Sequence, residues 1–161
     1  MNLTIKALDK NTARELISWR YKGDYALYNV ETEDMEGEIA YFSDPENHYY
    51  AIFSGDEMIG HCVFHGEARV AGADYSTDAL DIGAGMRPDW TGQGKGSAMI
   101  AAIMAFGRKQ YQAEVFRATI AAWNIRAQKA TTQNGFVEIS RFNSERTGME
   151  FIIFLCEADS Y

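Results

Sequence analysis

The sequence predicts a single α/β domain, spanning residues 1–161, built on one mixed sheet. Three observations carry that prediction. Apolar periodicity changes along the chain in the order strand, helices, meander, helix, strand, helix, strands. One strand runs directly into a glycine-rich turn and a helix, in LDIGAGMRPDWTGQGKGSAMIAAIMAF. The 161 residues are 47% apolar and 24% charged, enough to bury one core without staples and unlike a disordered chain.

Taken in order, LTIKAL (3–8) alternates as a first strand. Thr12-x-x-Glu15 has capping-box spacing ahead of LISWRY and predicts a helix start there. Residues 22–47 are aromatic and acidic and read as loop. Residues 49–53 and 58–64 flank Ser54-Gly55-Asp56-Glu57, the pattern of a β-hairpin, and 65–75 are expected to continue a meander. Leu80–Met86 reads as a buried strand ended by Pro88. Residues 98–111 are helical, with Met99, Ile103 and Phe106 on one stripe and Ile100 and Met104 on the next. A strand over 114–122, a short helix over 124–134 stopped by Gly135, and antiparallel strands over 136–142 and 149–156 complete the order.

The net charge of −8 argues against nucleic acid as a partner. Its distribution is uneven. Arg87 to Lys129 holds seven basic residues against two acids, the pattern of either an anion site or a solvated basic face. Glu31 to Glu46 holds seven acids and no Lys or Arg, either a soluble loop or a field that attracts a cationic substrate. No apolar run approaches the ~20 residues of a membrane span, and MNLTIKALDK lacks the apolar core of a secretory signal. Cys62 and Cys156 fit no metal or redox spacing and read as buried thiols, so a cytoplasmic location is expected. His61 and His65 share a face on an unbroken strand. No further ligands accompany them, and no metal is expected. His48 is uninformative.

The chemistry sits in the strand–turn–helix unit. Gly92, Gly94 and Gly96 alternate immediately before a helix, where glycine permits a tight loop and close ligand approach. The first turn of that helix offers unpaired N–H groups and a positive dipole end, a site for phosphate or diphosphate, with Arg87 and Lys95 adding charge. Other phosphate loops fit poorly. Lys95 is followed by Gly96, so a Walker loop fails, and the glycine spacing does not match a dinucleotide fingerprint. Taken alone, the loop is equally a helix entry without a ligand.

At this point the sequence resembles the GNAT N-acetyltransferase family. That family's acetyl-CoA loop reads Gln/Arg-x-x-Gly-x-Gly/Ala after a strand and before a helix. Gly94-Lys95-Gly96 matches its core, and Met86-Arg87-Pro88-Asp89-Trp90 is similar to its approach. A second block, Asn124-Ile125-Arg126-Ala127 followed by Gly135-Phe136, is similar to the family's N-x-x-A…GF element. The resemblance is strongest over residues 80–137. It implies a mostly antiparallel sheet with splayed central strands flanked by helices. It also implies an acetyl-CoA co-substrate whose arm pairs with the strand carrying Gly83 and Gly85, although those glycines equally suit close helix packing. Backbone from Gly92 through Gln93, Gly94, Lys95 and Gly96 to Ser97 would hold the diphosphate. An N–H near Met86 would polarise the thioester, and Asn124, also a natural helix cap, would bond the arm. Two positions depart from the pattern. Thr91 stands at the Gln/Arg position, and Thr131 stands where relatives often carry a tyrosine acid. Arg87 or Lys95 would compensate for the first.

The implied reaction is direct acetyl transfer to a primary amine of a small molecule or peptide. Asp81, at a position where many relatives carry Glu, is the candidate base, with an ordinary turn acid as the other reading. Trp19, Tyr21, Tyr25 and Tyr28 surround the end of the first helix, which in this fold commonly lines the acceptor side. They are candidates for the acceptor site, with core packing as the alternative, above all for Trp19. Together with the acidic stretch they favour a cationic amine. A homodimer is one expected assembly. Thr131 keeps a second reading open, an acyl-CoA-binding sensor or interaction module with a weak or silent site.

Overall fold

A computed structural model describes residues 2–157. The described residues form seven strands in the sheet order β1-β2-β3-β4-β5-β7-β6, and helices accompany them. The sheet is mixed, as expected. Two compact units divide it. One runs up to Val63 and takes in Ala84–Gln93; the other comprises Phe64–Gly83 and continues from Gly94.

In the first unit, β1 (Leu3–Ala7) pairs antiparallel with β2 (Tyr49–Ser54), Ile5 opposite Ile52. β2 pairs with β3 (Glu57–Phe64) through the expected hairpin, whose Gly55 has φ 62°. Helix α1 (Lys10–Ser18) starts three residues before the position its Thr12-x-x-Glu15 spacing predicts. Its N-cap is Asp9, whose carboxylate accepts from the Thr12 N–H at 2.8 Å, and Thr12 Oγ1 accepts from the Asp9 N–H at 2.9 Å. Thr12 is therefore the returning half of the box rather than its start.

The region expected to be loop contains helix α2 (Met35–Ser43). Asp34 caps it by accepting from the Gly37 N–H at 3.0 Å. A Cβ on Gly37 would collide with that carboxylate, so the glycine makes room for the cap. Glu36 and Glu38 lie in the first turn, where the dipole favours acids. Part of the acidic stretch is thus a helix start. Leu8, Ala13, Leu16, Ile17, Trp19, Ile39, Ala51 and Met58 form this unit's core.

In the second unit, the parallel ladder between β4 (Leu80–Met86) and β5 (Val115–Ala121) runs from Leu80–Phe116 to Ile82–Ala118 and stops there. β5 pairs antiparallel with β7 (Glu150–Glu157) along its whole length, and β6 (Val137–Asn143) pairs antiparallel with β7. Helix α3 (Gly96–Tyr111) buries Met99, Ile103, Met104 and Gly107. A Cβ on Gly107 would sit 2.9 Å from Phe116 and 3.0 Å from Leu80, so α3 approaches these strands closely. Helix α4 (Ile125–Thr132) completes the set.

Residues 65–75 do not continue a meander. They form a 3₁₀ turn, His65–Ala68, and a loop. His65 itself has φ 68°, which ends strand geometry at Phe64.

Candidate active site

The glycine loop takes the shape its composition allows. Gly92 and Gly94 have φ of 72° and 74°, the left-handed region. A 3₁₀ turn, Pro88–Trp90, leads into it. Thr91 Oγ1 donates to the Pro88 carbonyl at 2.7 Å, and the Gln93 amide donates to the Asp89 carbonyl at 2.6 Å. Both side chains hold the loop's own backbone in place.

The loop opens into the N-terminus of α3. Asp9, Asp34 and Asn124 cap α1, α2 and α4 with their side chains. At the α3 N-cap position stands Lys95, which makes no side-chain cap, and no acid lies in the first turn. The positive end of the longest helix is thus left to another partner, next to a cationic residue. A Cβ on Gly94 would meet nothing within 4 Å, so the space above the loop is open. Gly96 has a different task. A Cβ there would lie 3.1 Å from the Ala130 Cβ, so it allows α3 to approach α4.

Arg87 is engaged locally. Its guanidinium meets Asp89 at 2.6 Å, donates to the Met58 carbonyl at 3.1 Å and stacks 5.9 Å from the Trp90 ring. Its backbone N–H is bonded to the Ile59 carbonyl at 2.8 Å. Ser97 is held by Asn134, whose side-chain amide donates to the Ser97 carbonyl at 2.9 Å. Asn134 also bonds the Ala130 carbonyl, so it ties the first turn of α3 to the last of α4. Sequence reading missed Asn134, although its position just before Gly135 marks it as a helix-end residue.

Asn124 is buried and caps α4, its Oδ1 accepting from the Ala127 N–H at 3.2 Å. Thr131 is buried as well.

At the end of β4, the Tyr21 hydroxyl donates to the Met86 carbonyl at 2.6 Å. Burial pushes that phenol up to about 12, so it stays protonated and donating. Asn29 fixes Tyr21 from both sides: it accepts from the Tyr21 N–H at 2.6 Å and donates to the Tyr21 carbonyl at 3.2 Å. Tyr28 packs against both Tyr21 and Tyr25 with centroids 6.4 and 6.5 Å apart, so the three tyrosines form one cluster. Trp19 stands apart from their role. It is 7% exposed and belongs to the core. Asp34, Gly37, Glu38 and Tyr41 line a shallow hollow on α2, close in sequence to exposed Met35.

Asp81 is more deeply buried than the half-buried carboxylate expected. It is 1% exposed, and both oxygens are engaged. Arg117 bonds it through two nitrogens, at 2.6 and 2.8 Å, and Arg69 bonds it at 2.8 Å. Tyr75 stacks under both guanidinium groups, 4.9 Å from Arg117 and 5.4 Å from Arg69. Three charge-assisted hydrogen bonds hold this carboxylate in place. Arg117, which the sequence offered only as part of a basic run, is its principal partner.

Among the described residues no group of three or more His, Cys, Asp or Glu could hold a metal ion, and no helix is long and apolar enough to cross a membrane.

Comparison with known proteins agrees with this fold. A search of curated protein sequences finds no significant match. Among solved structures, a spermidine N-acetyltransferase chimera from Vibrio cholerae and hSSAT superposes with a TM-score of 0.75 at 16% identity, over 98% of this chain and 96% of that one. An aminoglycoside acetyltransferase in complex with coenzyme A and kanamycin superposes with a TM-score of 0.80 at 12% identity, over 99% and 96%. A putative acetyltransferase from Salmonella typhimurium with acetyl-CoA gives 0.67 at 13%, over 99% and 95%. The model of the GNAT acetyltransferase domain matches residues 3–137, and the chain therefore belongs to the GNAT acetyltransferase family.

Proposed function

We propose that the protein, acting as one acetyltransferase domain, transfers acetyl from acetyl-CoA directly to a primary amine. The observation that carries this reading is the open N-terminus of α3. It follows two left-handed glycines, and among the described residues the other α-helices, α1, α2 and α4, are each capped by a side chain. That arrangement suits a diphosphate, which would accept from the N–H groups of the loop and first helical turn and gain from the dipole. Coenzyme A carries such a group, and the structural neighbours with coenzyme A or acetyl-CoA bound support it as the co-substrate.

The remaining roles follow. Lys95 adds charge to the diphosphate site. Asn124 bonds the cofactor arm. The Met86 N–H polarises the thioester oxygen, since the Arg87 N–H is already bonded within its own unit. Tyr21 fixes the following peptide, Met86–Arg87, through the Met86 carbonyl and so holds the residue that carries that donor. Asp81 holds the start of β4 through Arg117 and Arg69 and is a structural ion pair rather than the base. Thr131 is a packing residue.

The acceptor we infer is a cationic amine. Tyr25 and Tyr28, with the acids of α2, offer aromatic faces and negative potential to such a molecule. Spermidine and aminoglycosides, named for the neighbours, are the first candidates. Two unpaired, buried cysteines favour a reducing compartment, the cytoplasm. The test is thiol release from acetyl-CoA against spermidine, kanamycin and a lysine peptide. Release with at least one amine supports the proposal; coenzyme A binding with no release on a broad amine panel favours the second reading. That reading, a silent acyl-CoA-binding module, draws on Thr131 at the position where relatives often carry tyrosine.

A further inference from the structure

His61 sits in the middle of β3, opposite Ala51 of β2. Its ring lies over the backbone of Gly85. A Cβ on Gly85 would run into the imidazole, reaching Nδ1 at 2.9 Å and Nε2 at 3.4 Å. Both ring nitrogens therefore flank the glycine, and only the missing side chain at 85 makes room for them. Trp19 packs against the ring, centroids 6.4 Å apart.

One polar atom of the histidine, Nδ1, is not used by the fold. Nδ1 is buried and has no hydrogen-bond partner among the described residues. An orphan of this kind carries an uncompensated desolvation cost, and packing alone is served better by Leu or Phe. The neighbouring polar groups are committed elsewhere. The Tyr21 hydroxyl is on the Met86 carbonyl, and the Arg87 N–H is on the Ile59 carbonyl. An unsatisfied imidazole edge thus remains beside the residue that precedes Met86.

We propose that His61 is a catalytic residue that meets the reacting amine, its ring edge over Gly85 accepting the proton which that amine loses. This rests on the acetyl-transfer reading above. The amine lone pair forms a C–N bond to the thioester carbon, and the carbonyl π pair moves onto oxygen. One N–H proton passes to a ring nitrogen of His61. The C=O re-forms, the C–S bond breaks, and the thiolate leaves with its pair. The imidazolium then returns its proton to thiolate or solvent, leaving N-acetylamine, free thiol and neutral histidine.

Burial holds His61 down to about 4, so the ring is unprotonated at neutral pH and ready to accept. Such a weak base does not deprotonate a free ammonium. It is matched to the far more acidic N–H of the amine once it has attacked. Asp81, paired with two arginines, leaves that task open.

The experiment combines calorimetry, kinetics and NMR on the full chain. Coenzyme A is titrated into the parent, His61→Ala and His61→Gln; loss of binding in the parent would sink the acetyl-transfer reading itself. With binding intact, His61→Ala should keep coenzyme A affinity within about threefold and lose about 100-fold in kcat. Added imidazole should restore part of the rate. A kcat within threefold of the parent would overturn the inference. Histidine labelling reports on three imidazoles, and the His61 resonances, assigned with His61→Gln, should move when acetyl-CoA is added. That readout needs neither an active amine nor a folded alanine variant, and unmoved resonances would equally reject the role.

Discussion

Replacing Asp81 by Asn separates an ion pair from a general base. Asp81 and the Arg117 side chain are 1% and 3% exposed, and their closest approach is 2.6 Å. The amide keeps the shape and removes the charge, which leaves the Arg117 guanidinium buried beside a weaker acceptor. Breaking a buried pair from one side typically costs ~3–5 kcal/mol. Arg69 adds less, because its side chain is 43% exposed and water screens it. At roughly 2–4 °C per kcal/mol for a chain of this size, Tm should fall by about 6–20 °C. Thermal and urea unfolding measure this directly. The double variant Asp81→Leu/Arg117→Leu should recover much of the loss, since it removes both charges. Below the melting range, Asp81→Asn should keep most of its turnover. A Tm within about 2 °C of the parent with kcat down ~100-fold would refute the reasoning and return Asp81 to the role of base.

Further outcomes follow from the same geometry. Gly94→Glu places a carboxylate in open space above the loop at φ 74°, so calorimetry should show coenzyme A affinity lost while unfolding detects only ~1–2 kcal/mol of backbone cost. Gly96→Glu is the poorer probe, since its Cβ already presses on Ala130. Tyr21→Phe leaves the Met86 carbonyl without its 2.6 Å donor; stability should drop by ~1–3 kcal/mol, and kcat should fall with coenzyme A affinity unchanged. Acid should destabilise the chain through His61. Its folded value of about 4 lies below the ordinary 6.5, so its contribution is complete above pH 6.5 and is lost as pH falls toward 4. A shift of that size corresponds to at most about 3 kcal/mol. Urea midpoints across that range should flatten in His61→Leu, and an unchanged slope would contradict the burial of the ring.

Much of the fold was legible because its signals are local. Leu80–Met86 is a run of small and apolar residues closed by Pro88, and it forms the strand with those bounds. The hairpin was marked by Gly55, and α4 by Asn124 and Gly135. Helix α2 was missed because its acids suggested solvent, whereas two of them favour the positive end of a helix capped by Asp34. The meander failed at a single residue, since nothing in the sequence requires His65 to adopt a left-handed backbone.

The candidate site divides in the same way. The glycine loop is contiguous and could be read directly. The partners of its distant residues could not, because they are set by tertiary pairing. Asp81 could be read as a candidate base, but its partners Arg117 and Arg69 could not, since they lie 36 and 12 residues away in sequence. Trp19 and the tyrosines shared one candidate site in sequence, with core packing the stronger alternative for Trp19; Trp19 is core, and the tyrosines form a separate cluster. His61 stood out in sequence only for its spacing from His65, which points to no partner at Gly85. Its interest arises only from the absence of a side chain at Gly85 and of a partner at Nδ1.

The central claim is that the uncapped start of α3 and its glycine loop receive the diphosphate of coenzyme A. Isothermal titration of coenzyme A into the parent chain, with Gly94→Glu alongside, tests it most directly. Saturable one-to-one heat at micromolar ligand, abolished in the variant, is the predicted result. Equal binding by both chains, or no heat from the parent at millimolar ligand, would contradict it.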